Sequence, residues 1–256
     1  MERHLETVLG AGGAELEQFI AERLKTGTLT AEELLAICAL PKLKKRYFDL
    51  LLAGGADLRA RDAHGRSALF AAAESGNLVL LRALLALKLD PMRQDDSGEI
   101  PLAAALRCGN LSVAQCLLEL TAAPAAVVDD EGSTLLHKAA WGDVTGIARP
   151  LVEKYGIPAD VRDHSGRTPL HVAAYQGSGK MLKYLLEECS ADVNATDCEG
   201  RTPLFGAAYD GNLRALKILC EHGANSSVKD RNGLTALAFA RNRDEFEAAR
   251  FLARRA

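Results

Sequence analysis

The chain has 256 residues, an apolar share of 48%, an aromatic share of only 5% and a formal net charge of -3. That balance gives no electrostatic footprint for nucleic acid or an anionic membrane, and no apolar run approaches the roughly 20 residues that span a bilayer. The six cysteines, Cys38, Cys108, Cys116, Cys189, Cys198 and Cys220, include no C-x-x-C pair, which leaves out zinc and redox motifs and reads as thiols in a reducing compartment.

The start, M-E-R-H-L-E, has no basic stretch followed by an apolar core, so no signal peptide is expected. Ala14 to Lys25 places Leu16, Phe19, Ile20 and Leu24 on one helical face and predicts a capping helix within residues 1–30. Leu34 to Leu52 reads as two helices closed by the G-G-A-D turn of Gly54 to Asp57. The basic run K-L-K-K-R from Lys42 to Arg46 has two readings. It fits the solvated face of a helix whose apolar side is Leu43, Tyr47, Leu50 and Leu51, or a nuclear localisation or anion-binding patch.

From Asp62 onward the chain repeats itself. A turn glycine recurs at Gly65, Gly98, Gly132, Gly166, Gly200 and Gly233, at intervals of 33, 34, 34, 34 and 33. The first copy, D-A-H-G-R-S-A-L-F, has Ser67 where a helix cap belongs and Phe70 three places on. The second, from Asp95, has Ile100 at the capping place, and isoleucine cannot cap; T-A-A-P-A-A replaces the glycine turn after its second helix. The copy from Asp129 keeps Thr134 and His137 but reads A-A-W-G-D, and Pro150 falls inside its expected second helix. An interior proline costs ~3 kcal/mol unless the helix kinks or starts there, so a local irregularity is expected.

The copy from Asp163 to Gly177 is the most complete. Thr168 caps a helix by accepting an orphan amide, Pro169 is harmless at the first position, and the helix begins at Leu170. Ala173 and Ala174 keep its surface thin, Gly177 ends it in the left-handed conformation, and Met181, Leu182, Leu185 and Leu186 give the second helix an apolar stripe. The copy from Asp197 is nearly as regular. The last, from Asp230, ends in a helix carrying Arg250, Arg254 and Arg255, read as a polar C-terminal cap whose arginines complement the helix's negative end.

Thr168, Pro169, Leu170, His171 and Ala173 spell T-P-L-H-x-A, and with the 33-residue period the chain resembles the ankyrin repeat from about residue 32 to 256. The resemblance implies an all-α-dominated repeat solenoid of helix-turn-helix units with β-hairpin loops, about six to seven repeats with helical caps. The N-terminal cap is placed at 1–30 and the solenoid at 31–256, with repeats near 31–61, 62–94, 95–128, 129–162, 163–196, 197–229 and 230–256. It also implies that the motif histidines, His137 and His171, hydrogen-bond backbone between repeats. The function implied is a non-enzymatic protein–protein interaction module, a scaffold, adaptor or subunit of a larger complex, using the concave face and hairpin tips. A regulatory inhibitor of an enzyme or transcription factor using the same face is the alternative. Asn194, ending L-E-E-C-S-A-D-V-N, is a candidate for asparagine hydroxylation, its plainer reading being a hairpin-turn residue.

No catalytic set, metal site, cofactor or small-molecule substrate is expected. Q-G-S-G-K around Lys180 misses the phosphate-loop pattern at Ala174 and Met181. Location is expected to be cytoplasmic or nuclear.

Equivalent positions form ladders on a stack of repeats. The place after the alanine pair reads Glu74, Arg107, Trp141, Tyr175, Tyr209, Asn242; the place after the turn glycine reads Arg66, Glu99, Ser133, Arg167, Arg201, Leu234. Three consecutive aromatics stand out in a chain with one tryptophan and five tyrosines. They predict a partner patch with Trp141, Tyr175 and Tyr209 as anchors and Arg167 and Arg201 steering an acidic segment. Gln176, beside Tyr175, and His164, at a hairpin tip, are included in it. The competing reading is that the rings pack on neighbouring helices of this chain.

Overall fold

The computed structural model describes residues 14–40 and 45–255, which fall into two compact units, residues 1–121 and 122–256. In the first, α1 (Ala14–Thr26) is followed by α2 (Ala31–Cys38), α3 (Lys45–Ala53), α4 (Ala68–Glu74), α5 (Leu78–Ala86), α6 (Pro101–Arg107) and α7 (Leu111–Leu118). The second contains α8 (Leu135–Trp141), α9 (Thr145–Glu153), α10 (Pro169–Gln176), α11 (Gly179–Lys183), α12 (Pro203–Tyr209), α13 (Leu213–Glu221), α14 (Ala236–Asn242) and α15 (Phe246–Ala253). The expected M-E-R-H-L-E start and residues 42–44 of the basic run lie outside the described residues.

In unit one α1 buries Leu16, Phe19 and Ile20 and packs against α3. α2 begins with a full capping box: Glu33 N–H donates to Thr30 Oγ1 at 3.2 Å, and Thr30 N–H donates to Glu33 Oε2 at 3.1 Å. Arg46, the end of the basic run, lies over the Tyr47 ring at 4.7 Å and within 3.6 Å of Glu17. α2, α4 and α6 then pack in sequence, with Ala71–Ala73 and Ala103–Ala105 buried between them.

In unit two α8, α10, α12 and α14 pack side by side in chain order, and α11, α13 and α15 form a second row. The motif leucines Leu136, Leu170 and Leu204 are fully buried, each worth roughly 1.5–3 kcal/mol relative to exposure. Gly206 has a separate role: a Cβ there would lie 3.3 Å from Tyr175 Cβ and 3.4 Å from its Cα. Its missing side chain lets α12 close on α10.

Each turn is organised by its aspartate. Asp163 Oδ1 accepts the amides of Ser165 and Arg167, both at 2.9 Å, an Asx turn that holds Gly166 at φ 74°. Successive tips join through single bonds, His164 N–H to Glu131 O, Cys198 N–H to Ser165 O and Arg231 N–H to Glu199 O, each 2.9 Å. The expected β-hairpins do not develop strands among the described residues; one isolated bridge, Val128 to Thr134, is formed. The arms are too short to support a ladder beyond the aspartate–arginine pair.

Other expectations need correction. α10 begins at Pro169, one residue earlier than expected. Pro150 neither starts nor breaks α9, which runs from Thr145 to Glu153. Its irregular neighbour is instead a π turn at Tyr184–Glu188 after α11, where Cys189 N–H reaches Tyr184 O at 3.2 Å. The A-A-W-G-D departure leaves the register unchanged: Asp143, at φ 55°, takes the left-handed place that Gly177 and Gly211 fill in neighbouring pairs. Its carboxylate accepts the Met181 amide at 2.9 Å. The last helix exposes Glu247 and Arg250, and Phe246 at its start is exposed as well.

Candidate protein-binding groove

The Trp141, Tyr175 and Tyr209 rings come from the ends of α8, α10 and α12 and stand in a row. Trp141 and Tyr175 have centroids 6.3 Å apart at 33°, and Tyr175 and Tyr209 are stacked at 6.0 Å and 30°. Trp141 is 45% and Tyr175 39% exposed, so the rings pack on one another and still face solvent. Arg243 closes the row with its guanidinium 4.3 Å from the Tyr209 centroid, a cation–π contact.

The rings flank a groove of about 490 Å³. Its lining includes Arg167, Arg201 and Asp197, with Val172, Phe205 and Phe239 as the apolar floor. Phe205 and Phe239 meet edge to face at 5.3 Å. Five of the seven residues expected in the patch, Trp141, Arg167, Tyr175, Arg201 and Tyr209, therefore share one groove. Gln176 and His164 do not line it: Gln176 is half-buried beside Tyr175, and the exposed His164 ring covers Gly132 at the turn tips.

The two arginines differ. Arg167 Nε–H donates to Asp163 Oδ2 at 2.8 Å. Arg201 lies over the Phe239 ring at 5.1 Å, with its Nε 3.7 Å from Asp230 Oδ2. Burial pushes the Asp230 carboxyl upward, but the amides of Leu234 and Asn232, and then Arg201, hold it below the usual carboxylate range.

His171 forms the wall behind. Thr168 N–H donates to His171 Nδ1 at 3.1 Å, so that nitrogen is an acceptor and Nε2–H donates to Arg201 O at 3.0 Å. The Thr168 hydroxyl, 2.9 Å from the same Nδ1, donates to it, and Thr168 and His171 together close a capping box at the start of α10. His137 repeats the arrangement, with Nε2 3.0 Å from Arg167 O. Burial, opposed chiefly by those carbonyls, lowers the pKa of both rings. Both nitrogens of each ring are engaged, which leaves them structural rather than available for proton transfer.

Asn194 sits at a turn, where its side chain donates to Gly223 O at 3.2 Å and accepts the Asn225 amide at 2.8 Å. It is a link to the next turn. No group of three His, Cys, Asp or Glu side chains suited to a metal occurs among the described residues, and none of their helices is long and apolar enough to cross a membrane.

A family description, ankyrin repeats in three copies, matches residues 35–127, 120–197 and 189–256. The chain belongs to the ankyrin-repeat family. No curated protein matches it. Ankyrin repeats generally serve as protein–protein interaction modules, and here the motif histidines carry out the inter-repeat bonding that the resemblance implied. Sequence reasoning missed Phe205, Phe239 and Arg243. Phe205 was legible as an aromatic four residues before Tyr209, on the same face of an ankyrin first helix; Arg243 follows the ladder residue Asn242 and left no such signal.

Proposed function

We infer that this ankyrin-repeat chain is a non-enzymatic scaffold or adaptor that binds a protein partner through the aromatic groove of unit two. The observation that carries this reading is the solvent-facing row of Trp141, Tyr175 and Tyr209. Large rings with few rotors are the side chains on which binding energy concentrates, and three of them stand together beside a groove.

A stable protein interface buries roughly 1,200–2,000 Å² in total, more than the groove alone offers. The partner's contact therefore extends past the rings toward Gln176 and the turn tip at His164, with Arg167 and Arg201 between them. Guanidinium groups at the rim favour a partner surface with acidic character.

The test compares pull-downs from native lysate, read by quantitative mass spectrometry, using wild type and the triple variant Trp141→Ala, Tyr175→Ala, Tyr209→Ala. Circular dichroism first establishes that the variant is folded. Proteins lost only with the variant support the groove as the interface. Proteins retained equally by both move the interface elsewhere and remove these residues from it.

A further inference from the structure

At one end of the groove three buried polar atoms have no hydrogen-bond partner among the described residues: Arg201 Nε, Thr202 Oγ1 and Asp230 Oδ2. Buried polar groups are nearly always paired, so such a cluster calls for a cause. In the preceding copy Thr168 Oγ1 has the His171 ring; after Thr202 the corresponding residue is Phe205, which offers no nitrogen. Arg167 Nε is bonded to Asp163 of its own turn, whereas Arg201 Nε points to Asp230 at 3.7 Å, beyond hydrogen-bond range. The Asp230 side chain has 0% exposure and the Arg201 side chain 35%. Arg201 thus reaches the groove with its countercharge buried behind it and no side-chain hydrogen bond of its own among the described residues.

Unit one repeats the arginine and its buried aspartate with one addition. Arg66 precedes Ser67 and Phe70, its Nε is likewise unbonded, and it stands 3.7 Å from Asp95 Oδ2. There Glu74, eight positions after the arginine, brings a carboxylate to 3.6 Å from Arg66 and 2.9 Å from Arg107. Eight positions after Arg201 stands Tyr209. The chain supplies a half-buried carboxylate to the first arginine and an aromatic ring to the second.

We propose that the occupant of the unit-two groove is a partner-protein segment that presents an Asp or Glu carboxylate to Arg201, in the place Glu74 takes beside Arg66, next to an apolar side chain set against Tyr175 and Tyr209. This rests on the groove being the binding face. Charge complementarity favours it: Arg167 and Arg201 line the groove against one carboxylate, Asp197, whose Oδ1 already accepts the Glu199 and Arg201 amides. Arg243 adds a third guanidinium at the Tyr209 end. A planar guanidinium meets a carboxylate through parallel N–H bonds, and the surrounding rings exclude water and strengthen them. A basic segment would face three guanidinium groups.

The test is selection of a phage-displayed random peptide library on the full chain, followed by affinity measurements with synthetic copies of the enriched peptides. Enriched peptides are expected to share an acidic residue within a few positions of an aromatic or branched aliphatic one. Arg201→Met is expected to weaken them roughly tenfold or more, as for loss of a charged hydrogen bond. Because that variant leaves Asp230 without its cation, a second pair guards against misfolding. Tyr209→Glu seats the chain's own carboxylate beside Arg201 and should weaken acidic peptides well beyond Tyr209→Gln.

Enriched peptides without an acidic residue, or acidic ones indifferent to Arg201→Met and Tyr209→Glu, overturn the carboxylate assignment; if Tyr175→Ala still abolishes their binding, the groove survives. A phosphoserine copy that binds while the aspartate copy does not also overturns it. Peptides indifferent to Tyr175→Ala, or no enrichment at all, overturn the groove and the carboxylate together.

Discussion

His171 Nε2 lies 3.0 Å from the carbonyl oxygen of Arg201, thirty residues further along the chain. One imidazole thus ties the start of α10, through Thr168, to the turn that presents the groove's arginine. His171→Gln should destabilise unit two by about 1–3 kcal/mol, the cost of leaving buried partners unpaired. Denaturant melts of wild type and variant check this.

The same ring makes stability depend on pH. Burial lowers the pKa of His137 and His171 from the model-compound value of 6.5, so on acidification the unfolded chain takes up protons before the folded one. Stability should fall as pH drops through about 6.5 and level off below the folded value, at no more than about 1.4 kcal/mol per pH unit for each ring. Unfolding midpoints between pH 7.5 and 5 test it, and His171→Gln should flatten the slope.

The ring row should separate binding from folding. Tyr175 is 39% exposed, and a stacked aromatic pair is worth about 0.5–1.5 kcal/mol beyond its area. Tyr175→Ala, which loses two such pairs and part of its buried area, is therefore expected to cost about 2–3 kcal/mol of stability while leaving the chain folded and removing most partner binding. A much larger loss in thermal melts would mean the rings serve chiefly to hold the helices together.

Two glycines with the same backbone sign differ in surroundings. A Cβ at Gly166, φ 74°, would meet Cys198 N at 2.9 Å, whereas at Gly223, φ 87°, it would meet nothing within 4 Å. Gly223→Ala should cost only the left-handed penalty of about 1–2 kcal/mol. Gly166→Ala should cost more, because it also pushes away the Cys198 amide that bonds Ser165 O. Chemical denaturation of the two variants side by side gives the ranking.

Cys38 is fully buried in α2, and burial pushes its thiol up to about 12. It should resist alkylation in the native protein, while the exposed Cys108 and Cys198 react. Mass spectrometry of the native, iodoacetamide-treated chain and its denatured control reads this directly.

The repeat period, the turn glycines, the first helices and the ring ladder were all legible in the chain, because each is set by local chemistry. An aspartate bonding its own turn amides, a proline at a first helical position and an alanine pair act within a dozen residues. Even the A-A-W-G-D departure was visible, though not its remedy, since Asp143 at φ 55° is stabilised by the Met181 amide of another helix pair.

What only the tertiary structure decided is which partner each polar atom takes. The Thr168 hydroxyl, expected at a helix start, also takes the His171 ring as its acceptor; Arg167 and Arg201 occupy the same place in the sequence pattern, yet one bonds its own turn and the other reaches across to Asp230 and Phe239. Such choices depend on what the neighbouring repeat offers within 3–4 Å, and the substitution of Phe205 for a histidine changes that offer without disturbing the period. Periodicity determines where the helices stand, and the few residues that break it determine what chemistry is left facing the groove.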